Sequence, residues 1–113
     1  MSLIYKICTA AAPQEATRSG HFEGSADDLC DGFIHSSDRS QVVGTLARYW
    51  QRDLVILAID SDRVGERPCW EPSRGGDLFP HVYGSLALDH VMWVEALPLQ
   101  EDGSYLLPAG VAS

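Results

Sequence analysis

Two histidines, a glutamate and an arginine fall in three short segments rich in hydroxyls, glycines and aromatic rings. These are Gly32-Phe33-Ile34-His35-Ser36-Ser37, Trp70-Glu71-Pro72-Ser73-Arg74-Gly75-Gly76 and Phe79-Pro80-His81-Val82-Tyr83-Gly84. His35, Glu71 and His81 can give or take protons and are the candidate catalytic groups. Ser36, Ser37 and Tyr83 offer hydroxyls, and the Arg74 guanidinium can hold a carboxylate or phosphate through two parallel N–H groups. Such a set suits a small, polar, anionic molecule.

Each residue also has a structural reading. His35, on the same strand face as Phe33, could be a core histidine satisfied by a carbonyl. Glu71, between Trp70 and Pro72, could salt-bridge Arg74 across a turn. His81 could tie down the loop after Pro80, and Tyr83 could be a packing aromatic with a wet hydroxyl. Arg74, followed by two glycines, could be plain surface charge, and His21 and His90 read as surface residues. No His-Glu-x-x-His or Cys-x-x-Cys pattern is present, so no metal is expected, although His35 and His81 could meet in space. There is no Gly-x-Ser-x-Gly elbow, and Ser37 lies too near His35 along one strand to form a dyad. Cys30 and Cys69 lack the basic neighbour that activates a thiol. No Gly-x-Gly-x-x-Gly stands between a strand and a helix.

The elements that must position these groups follow from periodicity and turn chemistry. Leu3 to Cys8 reads as a strand, with Thr9 capping a helix that Gly20 stops near Ser19. Residues 21–31 read as a loop with one turn. A short strand over 32–36 places Phe33 and His35 on one face. Asp38 with Gln41 then makes a capping-box start for a helix whose stripe is Val42, Leu46, Tyr49 and Trp50. Leu54 to Asp60 is continuously apolar up to its last residue, as in a central strand covered on both faces. The Gly-, Pro- and Arg-rich stretch from Ser61 to Gly76 holds a brief strand at 68–72. Residues 79–84 are extended, and 91–97 form a strand ended by Pro98.

The 113 residues suit one domain, with a core over 1–99 and a C-terminal turn, edge strand and flexible tail over 100–113. A formal net charge of −8 disfavours nucleic acid and anionic membrane surfaces but not a small anion held by local donors. Three scattered cysteines argue for a reducing compartment. Neither a signal peptide nor a membrane span is expected, which makes the cytoplasm the default. The fold class expected is α+β: a mixed, strongly twisted sheet, two main helices on it, and a pocket at the strand ends.

The order Tyr5-Lys6-Ile7, Asp31-Gly32-Phe33-Ile34-His35-Ser36-Ser37, Leu54 to Asp60, then the two later polar segments, resembles a bacterial family of short proteins, domain of unknown function 952. The resemblance runs from about Leu3 to Leu99. It implies an ADP-ribosyltransferase-like fold with a split sheet, whose cleft takes a nicotinamide dinucleotide (NAD) or related ligand. It also implies functional positions at His35, Ser37, Gln41, Glu71, Arg74, His81 and Tyr83, with Ser37, Gln41, Arg74 and Tyr83 as ligand contacts. Where that fold usually carries Arg or His in its first strand, this chain reads Tyr5-Lys6-Ile7, and a late-strand carboxylate falls at Glu95. Three functions stay open: a transferase acting on a nucleotide-like substrate, a non-catalytic module for a small carboxylate or phosphate metabolite, and a purely structural polar network.

Overall fold

In the computed structural model the described residues are 2–49, 51–64 and 68–112, without the side chains of Ala26, Asp27, Arg74 and Ala112. In chain order the elements are β1 (Leu3–Thr9), α1 (Ala11–Ser19), β2 (His21–Phe22), α2 (Ala26–Asp31), β3 (Ile34–His35), α3 (Val42–Leu46), β4 (Leu54–Asp60), β5 (Pro68–Pro72), β6 (Leu78–Val82), β7 (Leu86–Ala87), β8 (Val91–Ala96) and α4 (Ala109–Ala112). Single 3-10 turns lie at Arg39–Gln41, Arg74–Gly76 and Leu88–His90.

β4 is buried along its whole length and runs between β1 and β8. Its side chains alternate between two apolar clusters, as the pleat requires. Val55, Leu57 and Ile59 join Ile4, Phe22 and Val82, while Leu54, Ile56 and Ala58 join Tyr5, Val42 and Leu46. A second ladder has the order β3-β6-β5, and β2 pairs with β7. Every ladder among the described residues is antiparallel, which corrects the mixed sheet expected. A connection as short as the one joining β5 to β6 permits only antiparallel pairing.

The two three-stranded ladders meet at one point. Tyr5 N–H donates to Ser37 O at 2.7 Å and Ser37 N–H to Tyr5 O at 2.8 Å. No further bridge joins β1 to β3 among the described residues; the His35 N–H goes to the Asp28 carboxylate instead. The sheet is therefore split beside Lys6 and Ile7.

The helices differ from the expected pair. α1 begins after Ala10, with no side-chain cap, since Thr9 still belongs to β1; Gly20 ends it at φ 81°. The Asp38–Gln41 capping box is present, but it opens a 3-10 turn, and α3 stops at Leu46. Val42, Val43, Gly44 and Thr45 are weak helix formers, which accounts for the short run. Trp50 lies outside the described residues. The expected last edge strand shrinks to one bridge, Leu99 with Tyr105. In place of a flexible tail, α4 brings Val111 into the second apolar cluster.

The expected loop over 21–31 holds the most consequential difference, α2. Ser25 N–H donates to Asp28 Oδ2 at 2.9 Å and Asp28 N–H to Ser25 Oγ at 3.4 Å, a reciprocal cap. The Asp28 side chain does more than cap. Its buried carboxylate accepts from Lys6 Nζ at 2.8 and 3.0 Å, from His35 N–H at 3.0 Å and from His35 Nδ1 at 2.6 Å. Burial pushes its carboxyl upward, but the Lys6 ammonium and the bonds from Lys6 and His35 outweigh this and hold it below the usual carboxylate range. Gly24, at φ 103°, makes room: a Cβ there would stand 2.6 Å from the Asp28 Cβ and 2.7 Å from its Oδ2.

Asp28→Asn would leave the Lys6 ammonium buried and unpaired, and we expect a loss of about 3–5 kcal/mol in urea unfolding. Adding Lys6→Met should restore much of it, since no buried charge then remains. The folded pKa of Asp28 is depressed, so its contribution is complete above about pH 4 and is lost as pH falls through the lowered value. The double variant should accordingly lose less stability between pH 5 and 2 than the wild type. A wild-type urea midpoint for Asp28→Asn would refute the account.

Candidate functional site

The register of β3 against β6 sets His35 opposite His81. Residues directly across a ladder share a face, and the two rings stand 5.6 Å apart, edge to face. Phe33 stacks on His81 at 4.2 Å and 18°, and also contacts the His35 and Tyr83 rings, at 4.7 and 5.3 Å. Beside β6, β5 pairs Cys69 with His81, which places Glu71 on the same face one diagonal away. One Glu71 oxygen, Oε1, accepts from His81 Nδ1 at 2.9 Å and from the Tyr83 hydroxyl at 2.8 Å. The bond from Tyr83, then that from His81, hold the Glu71 carboxyl below its usual range; the bond to Glu71 pushes the Tyr83 hydroxyl above its own.

The two imidazoles are held differently. His35 has Nδ1 on Asp28 and Nε2 on Asp31 at 3.0 Å, so both ring nitrogens face carboxylates. His81 has only Nδ1 engaged; its Nε2 has no hydrogen-bond partner among the described residues. Glu71 accepts at Nδ1, which selects the tautomer with the lone pair on Nε2.

A cleft of about 500 Å³ opens where β1 and β3 part. Its lining includes Lys6, His35, Ser36, Ser37, Arg48 and His81. Ser37 Oγ and Thr45 Oγ1 hydrogen-bond at 2.9 Å. Ser36 Oγ is buried without a partner. Ile7, Ser25, Tyr49 and Gln51 also line a neighbouring hollow of about 670 Å³ beside α1, so the two hollows share a border.

Of the positions singled out in the sequence, His35, Ser37 and His81 line the cleft, with Glu71 and Tyr83 joined to it through His81. Gln41 is not with them. Its amide caps Asp38 N–H and donates to Leu78 O at 2.8 Å, pinning the start of α3 to β6, beside a separate hollow. The Arg74 side chain lies outside the described residues. Glu95 is exposed on β8, opposite Ile56 and away from the cleft. His21 is exposed as expected, whereas the His90 ring is mostly buried.

Sequence reading missed Lys6, Asp28, Asp31 and Arg48 as lining groups. A lysine within an apolar strand and the Ser25-x-x-Asp28 pattern were the available signals; Arg48 carried none. Among the described residues no cluster of His, Cys, Asp and Glu could hold a metal ion. Burial pushes the Cys8 thiol up to about 11, which removes it as a nucleophile at neutral pH. No helix among them is long and apolar enough to cross a membrane.

With this geometry in hand, the chain can be set beside known proteins. No curated protein matches it. A crystal structure of protein CC0527 from Caulobacter crescentus is similar, with 43% identity over 99% of this chain and 100% of that one, and a TM-score of 0.91. A solution NMR structure of CC0527 gives 46% identity over 91% and 90% of the two chains, with a TM-score of 0.79. The family described as "Protein of unknown function (DUF952)" matches residues 7–94. The chain belongs to the DUF952 family.

Proposed function

We propose that the cleft between the two ladders binds a small, polar, nucleotide-like molecule, and that Glu71, His81 and Tyr83 form its acid–base group. The observation that carries this is the state of the His81 ring. It lines the cleft, its Nδ1 is held by a carboxylate, and its Nε2 is left available. An imidazole so held can take a proton from a hydroxyl or water at Nε2, with Glu71 steadying the charge that forms. Tyr83 fixes Glu71 from its other side, and Phe33 fixes the ring plane.

The motif resemblance supports an NAD-like or ADP-ribose-like ligand and a transferase-type reaction. In that reaction the attacking oxygen would give its proton to His81 Nε2 as the ribosyl bond to the departing base breaks, the base leaving with the bonding electron pair. The net charge of −8 fits a soluble cytoplasmic protein that does not engage nucleic acid. The structural reading is favoured by a specific observation for one half of the cluster only. His35 has both nitrogens engaged and Asp28 is buried against Lys6, so Lys6, Asp28 and His35 serve as a brace and His35 as a positioning residue.

Calorimetry with nicotinamide dinucleotide and with ADP-ribose should give saturable binding, weakened about tenfold or more in His81→Gln. Absence of binding by the wild type to either compound would reject this reading.

Stability separates the two halves independently. His35→Ala should cost on the order of 1–3 kcal/mol by stranding a buried partner, whereas Glu71→Gln, at a half-exposed position, should leave the urea midpoint nearly unchanged. Equal losses in the two variants would return the whole cluster to a structural role.

A further inference from the structure

Arg48 follows α3 and lines the cleft, yet it belongs to no motif discussed above. Its residue is exposed, and its guanidinium makes no ion pair or side-chain hydrogen bond among the described residues. The other charges on the cleft wall are already matched: Lys6 by Asp28, and Asp31 by its contact with His35. In a chain with 16 acidic and 8 basic side chains, Arg48 is thus an uncommitted positive charge on this wall among the described residues. Ser36 adds an independent sign of a missing ligand. It is 5% exposed, it lines the same cleft, and its hydroxyl is buried with no partner among the described residues. A buried hydroxyl without a bond is costly, and the cost is removed when a ligand atom completes it.

We propose that Arg48 anchors an oxyanion group of the cleft ligand, a phosphate, with the Ser36 hydroxyl as a second donor to the same ligand. A guanidinium presents paired N–H groups that match phosphate oxygens, and a partly enclosed site screens this attraction less than open water does. The inference rests on the cleft being a ligand site and specifies which end of the ligand is charged.

The test is a titration of the full chain with inorganic phosphate, followed by NMR of the backbone amides and the Arg48 Nε–H. Saturable shifts at Arg48 and Ser36 are expected, with affinity reduced about tenfold or more in Arg48→Gln. Ser36→Ala should bind phosphate more weakly while keeping or gaining stability, an outcome that a purely structural serine would not give. Unchanged phosphate affinity in Arg48→Gln, or acetate binding as tightly as phosphate, would overturn the anchor. If the dinucleotide still shifts His81 in that case, the anchor fails and the ligand site stands. If neither phosphate nor the dinucleotide produces a saturable shift, both fail together.

Discussion

The structure turns on one buried carboxylate. Asp28 is reached by a lysine from β1, by a backbone amide and a ring nitrogen from β3, and by the cap of its own helix. An isolated carboxylate in that position would be far too costly to keep charged, and the same is true of Lys6. Each makes the other tolerable, and only together can they occupy the gap where β1 and β3 stop pairing. His35 N–H, which a continuous sheet would have given to a neighbouring strand, is given instead to Asp28. The split in the sheet is thus satisfied rather than left raw, and the cleft owes its shape to that substitution.

From this brace the two histidines acquire different capacities, although they face each other across one ladder. His35 is clamped from both sides by carboxylates and is fixed in place. His81 is clamped from one side, by a glutamate that is itself tied to a tyrosine, and its Nε2 has no partner among the described residues. Residue type alone does not separate the two histidines; the number of engaged ring nitrogens does. Two acidic residues, Asp28 and Asp31, line the cleft, and both are paired there, Asp28 with Lys6 and His35 and Asp31 with His35.

Much of this was legible in the sequence, and the rest fails for identifiable reasons. β4 could be read because an unbroken apolar run has one good explanation, burial on both faces. The convergence of His35, Glu71 and His81 was suggested by their setting among turn glycines and aromatics, and the register supplied the proof of proximity. α2 was hidden because Ala26–Asp31 is too short and too acidic to show an amphipathic stripe; only its cap marks it. Asp28 was hidden with it, since an Asp at the third position of a helix reads as an ordinary capping residue. Gln41 stands apart from the cleft, beside a separate hollow. Its motif position suggested ligand contact; the structure shows its amide in the cap and in the bond to Leu78. Arg48 had no local signal at all, because what distinguishes it is the absence of a side-chain partner among the described residues, a property of the fold.

The glutamate behind His81 is the hardest feature to explain on structural grounds alone. Phe33 already stacks on the ring, and the residue is buried on β6 by its neighbours, so its place does not depend on Glu71. Hydrogen bonds of a half-exposed carboxylate with a ring nitrogen and an exposed tyrosine add little stability in water. What they do accomplish is chemical: they choose the tautomer, hold the carboxylate ionised, and leave the lone pair on Nε2 of a ring that lines the cleft. A brace would be better made of apolar side chains on that face. The Tyr83 hydroxyl, the Glu71 carboxylate and the His81 imidazole thus form one hydrogen-bonded chain that ends at Nε2, an atom with no partner among the described residues.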